Sequence, residues 1–127
     1  MKAMIEPTTL FADTYALIGI IQGRKDYRPY LSRRIITSKY NLIEMYYYFL
    51  RTYDEKIADK YFRMHEEIII PITFSNIRTG MKFKLKNKKE KLSYVDCIGY
   101  AMAMGAGIRF LTGDQKFESK NNVEFVK

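Results

Sequence analysis

Short apolar runs alternate with longer amphipathic stretches along most of the chain, which is the pattern of strands separated by helices. The runs with strand character occupy residues 8–12, 34–37, 67–70 and 108–111, and a last strand, at an edge, is predicted at 123–126. Helical periodicity predicts helices at about residues 14–22, 39–53, 55–66 and 94–106. The polar segment 74–91 is expected to be a helix or a loop.

Residues at the boundaries of these elements support the division. Ser38 and Ser93 precede helical segments and are favourable helix N-caps, and Gly23 suits the end of the first helix. Because strands rich in Ile, Leu and Phe alternate with helices, we predict an α/β fold of three layers around a mainly parallel sheet of four or five strands. The apolar faces predicted for the second and third helices comprise Leu42, Tyr46, Phe49 and Leu50, and Ile57, Tyr61 and Met64.

The composition is that of an ordinary globular chain. Its 127 residues are the size of one domain, and we predict a single domain over residues 1–127. No apolar run reaches the roughly 18 residues that span a bilayer, and the N-terminal segment around Lys2 has no signal-peptide pattern, so no membrane association is expected. Cys97 is the only cysteine, which excludes an intrachain disulfide and favours a reducing, cytoplasmic setting.

The positive charge is concentrated in one place. The net charge is +8, and residues 78–91 hold seven of the 22 basic residues and one of the 14 acids. We call residues 78–91 the basic segment. It predicts a contact with a phosphate backbone, although a run of charge by itself is more often a solvated helix face. The candidate contact residues are Lys82, Lys84, Lys86, Lys88 and Lys89.

Four acidic residues lie in otherwise apolar surroundings. Asp13 ends the first apolar run, and Asp114 follows the run at 108–111 after two intervening residues. Glu44 and Asp96 lie within helical segments that are mostly apolar. A lone buried carboxylate is costly unless it is paired or binds a metal, and functional sites of parallel sheets lie beyond the carboxyl ends of the strands. These four acids are therefore predicted to converge on one site.

Each acid also has a structural alternative. Asp13 could cap the following helix, Asp96 could interact with a helix dipole, and Asp114 could belong to a turn. Glu44 could face solvent. Thr112, two residues before Asp114, could support an Asp or a metal-bound water through its hydroxyl, or could be an ordinary turn residue. The convergence of all four acids at one sheet edge favours the shared site.

Oxygen ligands without His or Cys select hard cations, so Mg²⁺ or Mn²⁺ is the expected cofactor. A divalent ion held by carboxylates is suited to phosphodiester hydrolysis, because it activates water and orients the phosphate. The sequence contains no GxxxxGK[ST] phosphate loop and no GxGxxG fingerprint, which excludes the common nucleotide-binding motifs.

Four segments, FADTYALIGI, TSKYNLIEMYYYFL, LSYVDCIGYAMAMGAGIRFLTGDQKF and VEFV, resemble the successive signature blocks of PIN-domain proteins, a family that includes the toxins of VapBC-type toxin–antitoxin pairs. The resemblance spans about residues 8–126, and its most specific part is the third segment. By this resemblance Asp13, Glu44, Asp96 and Asp114 match the family's four acids in order. It implies Mg²⁺- or Mn²⁺-dependent cleavage of RNA and a homodimer, with an antitoxin partner if the chain is a toxin rather than an RNA-processing enzyme.

Two positions depart from the family pattern. Tyr15 stands two residues after the first acid, where a small polar residue is common, and Lys116 stands where many members have a further Asp. Glu118 is nearby and could compensate for that Asp. These departures bear on the number of metal ions and on specificity more than on the fold.

Two other functions compete with the ribonuclease. A phospho-accepting receiver domain needs an acidic pair near the first strand and an acceptor Asp after the third, whereas this chain has only Asp13 and Ile70-Pro71 there. A non-catalytic RNA-binding or protein-interaction module on the same scaffold would use the basic segment equally well, but it has no need of an anionic cluster. The aromatic run at 46–49 is expected in the core, with contact to a second subunit or an antitoxin as the alternative.

Overall fold

A computed structural model describes residues 8–127 of the chain. This range contains four strands, five α-helices and four 3₁₀ segments, and four of the helices follow one another between the second and third strands. The strands are β1 (Leu10–Ala12), β2 (Ile35–Ile36), β3 (Arg109–Thr112) and β4 (Val123–Phe125). The helices are α1 (Thr14–Ile21), α2 (Lys39–Thr52), α3 (Glu55–His65), α4 (Phe74–Lys86) and α5 (Tyr94–Gly105).

The strands form one parallel sheet in the order β2-β1-β3-β4. β1 is central: Phe11 is in register with Ile36 of β2 on one side and with Phe110 of β3 on the other. β4 pairs with β3 and lies at the edge, as the sequence predicted. The carboxyl ends of β1 and β3 therefore lie side by side, which brings the residues after them to the same place.

Successive strand residues point to opposite faces of the sheet, and this alternation builds two cores. Leu10 and Leu111 pack with the buried sides of α1, α2 and α3. Phe11 and Phe110 pack on the other face with α4 and α5. The three-layer α/β fold predicted from the sequence is confirmed, with four strands.

Local sequence fixes several helix ends as expected. The hydroxyl of Ser38 accepts the Asn41 backbone N–H at 3.2 Å, and that of Ser93 accepts the Asp96 N–H at 3.0 Å. Gly23 follows the end of α1 with a φ of +65°, a conformation that costs glycine little. Residues 74–86 of the segment that was predicted as helix or loop are helical.

The strand predicted at residues 67–70 is wrong. Glu66–Ile68 is a 3₁₀ turn, and only one parallel bridge, between Thr37 and Ile69, extends the sheet there. Two backbone hydrogen bonds, Thr37 N–H to Ile68 O and Ile70 N–H to Thr37 O, make this bridge, and Pro71 then prevents further pairing. An apolar run of β-branched residues is thus used for packing without forming a strand.

Two residues expected on the apolar faces of helices lie at the surface instead: Leu50 is 42% exposed and Met64 is 61% exposed. Among residues 8–127 we find no helix with the length and apolar character required to cross a bilayer. The N-terminal segment around Lys2, from which we expected no signal peptide, lies outside the described residues. A single domain and a cytoplasmic setting stay predictions.

Candidate active site

A cleft of about 630 Å³ opens at the carboxyl ends of β1 and β3. All four acids identified from the sequence line it, and we call it the acid pocket. The complete lining is Asp13, Thr14, Tyr15, Ile18, Glu44, Tyr47, Tyr48, Arg51, Ser93, Asp96, Gly113, Asp114 and Gln115. The fold therefore collects acids from the end of β1, from α2, from α5 and from the residues after β3.

Asp13 forms the buried floor of the acid pocket. It is 3% exposed, and its own N–H donates to the Leu111 carbonyl at 3.0 Å, which ties it to β3. One carboxylate oxygen accepts the Ala16 N–H at 2.7 Å, so Asp13 is also the N-cap of α1. Asp13 therefore caps α1, which was the structural alternative predicted for it, and it also lines the pocket.

Thr112 connects the floor to the opposite wall. This fully buried residue ends β3, and its hydroxyl donates to the second carboxylate oxygen of Asp13 at 2.5 Å. The same hydroxyl accepts the Asp114 N–H at 3.0 Å. One side chain thus fixes both the carboxylate of Asp13 and the backbone from which the Asp114 side chain projects.

Asp114 and Asp96 lie at intermediate depth. The Asp114 carboxylate accepts the Lys116 N–H at 3.0 Å and caps a short 3₁₀ turn, Gln115–Phe117. Asp96 lies in the first turn of α5, where the unpaired N–H groups of the helix favour negative charge. Both acids keep the local roles that their sequence context indicated, and both line the pocket.

Glu44 lies at the exposed rim, and its expected burial is wrong. Its carboxylate accepts the Thr14 hydroxyl at 2.5 Å, and Thr14 in turn accepts a hydrogen bond from the Asn41 side chain at 3.2 Å. The apolar neighbours of Glu44 along α2 pack elsewhere, because α2 is apolar on more than one face.

Burial raises the pKa of Asp13 to about 7. The hydrogen bonds from Thr112 and Ala16 oppose this rise, whereas the nearby charges of Asp96 and Asp114 add to it. Burial therefore favours the neutral form of the Asp13 carboxyl group, and a cation bound next to it would favour the charged form.

The same causes raise the pKa of Asp96 to about 6. Burial is the largest cause, and Asp114 and Glu44 contribute repulsion, while hydrogen bonding to Ser93 and the charge of Lys116 lower the pKa. The four acids therefore act on one another electrostatically, as groups that share a site do.

The donor set fits a hard divalent cation. Among residues 8–127, none of the four acids forms an ion pair, and no three His, Cys, Asp or Glu side chains are arranged to chelate an ion directly. Mg²⁺ commonly keeps several waters and takes only one or two carboxylates directly, so a wide ring of carboxylates around a cleft suits it.

The sequence interpretation missed the α2 side of the pocket. Tyr47, Tyr48 and Arg51 line it together with Glu44. Their spacing from Glu44, three, four and seven residues, was a usable signal, because residues at these distances share one face of a helix. Within the aromatic run, Phe49 is in the core as expected, whereas Tyr47 is 63% exposed.

The lysines of the basic segment differ in their surroundings. Lys82, Lys86, Lys88 and Lys89 are exposed. Lys84 is half-buried: its ammonium donates to the Leu92 carbonyl and lies 4.7 Å from the ring centre of Tyr94. Lys84 therefore has an internal structural role, and the other four remain candidates for contacts with RNA.

Solved structures of toxins share this fold. VapC20 of Mycobacterium tuberculosis, described as a toxin that cleaves the sarcin–ricin loop, has a TM-score of 0.73 at 20% identity, covering 93% of this chain and 99% of that one. VapBC2 of Rickettsia felis, bound to promoter DNA, has a TM-score of 0.72 at 14% identity, covering 94% and 99%. A toxin–antitoxin complex from Klebsiella pneumoniae has a TM-score of 0.71 at 18% identity, covering 91% of this chain and 95% of that one.

Comparison with curated protein sequences returns no significant match. The structural likenesses are at low identity and establish the fold. The sequence itself matches the family model of the PIN domain over residues 10–122, a range that includes all four acids of the pocket. This protein therefore belongs to the PIN-domain family.

Proposed function

We propose that this protein is a metal-dependent endoribonuclease that hydrolyses RNA phosphodiester bonds in the acid pocket. One observation carries the proposal: four carboxylates from separate elements line one cleft and, among residues 8–127, have no ion-pair partner. Such a cluster is electrostatically unfavourable by itself and becomes favourable when a cation binds. Membership of the PIN-domain family supports the same activity.

In this proposal Asp13, Asp96, Asp114 and Glu44 hold Mg²⁺ or Mn²⁺. A divalent ion supplies activation of water and stabilisation of the charge that develops on the phosphate. The protein's part is orientation: Thr112 and the Ala16 N–H fix the two oxygens of Asp13, and Thr14 fixes Glu44. Carboxylates held by such hydrogen bonds need little rearrangement during the reaction.

The proposal of catalysis rather than simple RNA binding rests on charge. A binding module on this scaffold gains nothing from four acids facing an anionic ligand, whereas a metal-dependent nuclease requires them. RNA is the proposed substrate because of the likeness to VapC20, which is described as cleaving an RNA loop.

We further propose that the protein acts as a toxin with an antitoxin partner and forms a homodimer. The similar structures include toxin–antitoxin complexes. A second cavity, lined by Ile43, Tyr46 and Phe62 on α2 and α3, adds an apolar surface suited to protein contact. Light scattering of the purified protein tests the dimer, and co-purification with the product of an adjacent reading frame tests the partner.

Cleavage of a labelled RNA tests the activity. We expect turnover with Mg²⁺ or Mn²⁺, none with excess EDTA, and a loss of at least about 100-fold in Asp13→Asn and Asp114→Asn, because each variant removes a carboxylate charge from the site. Glu67→Gln, an exposed acid outside the pocket, is the matched control and should cleave normally. Wild-type rates in both pocket variants would overturn the assignment, and tight RNA binding without cleavage would favour the non-catalytic module.

Thermal unfolding tests the metal independently of turnover. Millimolar Mn²⁺ should raise the Tm of the wild-type protein, because a ligand stabilises the state that binds it. Asp96→Asn should be stabilised much less by Mn²⁺, and in EDTA it should melt at least as high as wild type, because one repelling charge is gone. Equal Mn²⁺ shifts in both proteins would remove Asp96 from the metal site.

A further inference from the structure

We propose that one side of the acid pocket stacks an unpaired RNA base next to the bond that is cut, through Tyr15, Tyr47 and Tyr48 with Arg51. We call these four residues the aromatic wall. This inference rests on the proposed ribonuclease function and adds a specificity element to it. The carboxylates would act on the phosphate, and the aromatic wall would select RNA whose bases are free to leave a helix.

The first observation is exposure. Tyr15 is 64% exposed and Tyr47 is 63% exposed, yet both line the deep cleft that contains the acids. Rings left open to solvent inside a cleft retain apolar faces available to a ligand.

The second observation is the arrangement of Arg51. Its guanidinium carbon lies 5.7 Å from the ring centre of Tyr47 and 5.8 Å from that of Tyr48, one helical turn before it on α2. Among residues 8–127, Arg51 forms no ion pair with a carboxylate. The positive charge therefore stays next to the rings, where a guanidinium plane can stack on a base and attract its phosphate.

The third observation is that hydrogen bonds hold the two sides of the wall together. Gln22 donates to the Tyr48 hydroxyl at 3.2 Å and accepts a hydrogen bond from Arg24 at 2.9 Å. The guanidinium of Arg24 lies 5.5 Å from the ring centre of Tyr15. These contacts connect Tyr48 on α2 with Tyr15 on α1 through Gln22 and Arg24, which restricts these two rings before any ligand arrives and lowers the entropic cost of binding.

The fourth observation is position. Glu44 lies one turn before Tyr47 and Tyr48 on the same face of α2, and Tyr15 is two residues from Asp13. A nucleotide whose phosphate lies at the carboxylates has its base within reach of these rings. In a duplex the bases stack on one another and cannot reach the wall, so the geometry points to single-stranded or looped RNA as the substrate.

The absence of tryptophan provides a direct test. In Tyr47→Trp and Tyr15→Trp the new indole is the only tryptophan, and its fluorescence reports stacking. With Mg²⁺ present to neutralise the carboxylates, rapid mixing with a synthetic single-stranded octaribonucleotide should quench this fluorescence before the RNA is cut, and a blunt RNA duplex of the same length should not. Tyr40→Trp is the matched control, because Tyr40 is 48% exposed on α2 but lies outside the pocket and outside the basic segment.

Removal of the ring gives the second measurement. Tyr47→Leu should weaken binding of the octamer roughly tenfold, within the range measured for stacking of one base on an aromatic side chain, and should raise KM more than it lowers kcat. Tyr40→Leu should change neither. Absence of quenching in both pocket variants, equal quenching by duplex, or equal quenching in Tyr40→Trp would overturn the aromatic wall.

These results separate the two proposals. Normal RNA cleavage with unchanged kinetics in Tyr47→Leu and Tyr15→Leu would refute the wall and leave the nuclease standing. Selective quenching by single-stranded RNA without any cleavage would support the wall and refute the nuclease.

Discussion

The acid pocket and the basic segment are both concentrations of charge, but the fold treats them differently. In the pocket, Asp13 accepts two hydrogen bonds and is anchored to two strands, and Thr112 holds it from the neighbouring strand. In the basic segment, Lys82, Lys86 and Lys88 extend into solvent. Preorganised charge that is held out of water acts strongly on a ligand, whereas solvated charge acts weakly and is screened by salt. The acid pocket is therefore suited to the proposed cleavage of RNA, and the basic segment is suited to binding the RNA before it is cleaved.

The pH dependence of stability gives the largest expected effect on the acid side of this comparison. Without metal, folded Asp13 has a pKa of about 7 against 3.8 as the reference value, so between these limits the folded protein holds a proton that the unfolded chain has released. The free energy of unfolding should therefore fall as pH rises, by roughly 1.4 kcal/mol per pH unit below pH 7 and less above it, or about 3 kcal/mol in total from pH 5 to 8.

Urea unfolding in EDTA at several pH values measures this loss, and Asp13→Asn is the comparison. Because Asn does not titrate, the variant should lose less stability over the same range, with a residual fall from Asp96, whose pKa is about 6. Parallel pH profiles for the two proteins would contradict the buried, uncompensated state of Asp13.

The hydroxyl of Thr112 gives the next largest effect. Thr112→Val keeps the shape but removes the donor to Asp13 and the acceptor for the Asp114 N–H, so stability should fall by about 1–3 kcal/mol, and cleavage should fall with it. The pKa of Asp13 should rise further, because the hydrogen bond that this variant removes lowers it. Thr112→Ser restores the hydroxyl and should recover most of both properties. Equal loss in Ser and Val variants would show that only the methyl packing matters.

The basic segment should show the smallest effect on stability and a distinct effect on binding. Replacing Lys82, Lys86, Lys88 and Lys89 by Gln should leave the Tm nearly unchanged, because these side chains are exposed. If these lysines bind phosphates, the salt dependence of RNA affinity should flatten by roughly 0.7 in slope for each phosphate that is no longer neutralised. An unchanged slope would identify the segment as a solvated face.

Lys84→Gln makes the comparison sharper. This lysine donates to the Leu92 carbonyl and lies against Tyr94, so its replacement should cost about 0.5–1.5 kcal/mol of stability. We expect the salt dependence of RNA affinity to stay unchanged, because the Lys84 ammonium is already hydrogen-bonded to the Leu92 carbonyl. Loss of stability without a change in salt slope for Lys84→Gln, and the reverse for the four exposed lysines, would confirm that the basic segment contains both structural and RNA-binding lysines.

Features that depend on a few neighbouring residues were predictable from the sequence. Ser38 and Ser93 cap helices as expected, because a cap is a hydrogen bond to the N–H three residues away. The proximity of Asp13 and Asp114 was predictable because they follow β1 and β3, and the carboxyl ends of parallel strands lie at the same edge of a sheet. An acid within an apolar segment points to a functional site, because burying a carboxylate costs free energy unless it has a partner. A run of charged residues on the surface has no such cost and therefore does not point to a function.

Features set by distant packing were not predictable. The run at 67–70 has the composition of a strand, but its pairing is limited to one bridge with Thr37. On α2, apolar and aromatic residues occur on several faces, so periodicity could not tell that Phe49 is buried while Tyr47 borders the pocket. A separation of seven residues is close to two helical turns, so the sequence itself places Arg51 on the same face of α2 as Glu44.

The hydrogen bond between Thr112 and Asp13 also has a consequence for biosynthesis. The two residues are 99 positions apart in sequence, and they meet only when β3 inserts beside β1. A polypeptide still being translated can form α1 and α2, but the Asp13 carboxylate has no partner in β3 until Thr112 has left the ribosome. If the protein is the proposed toxin, we expect nascent and prematurely terminated chains that lack β3 to be inactive towards the RNA of the translation machinery, because their acid pocket lacks Thr112 and Asp114.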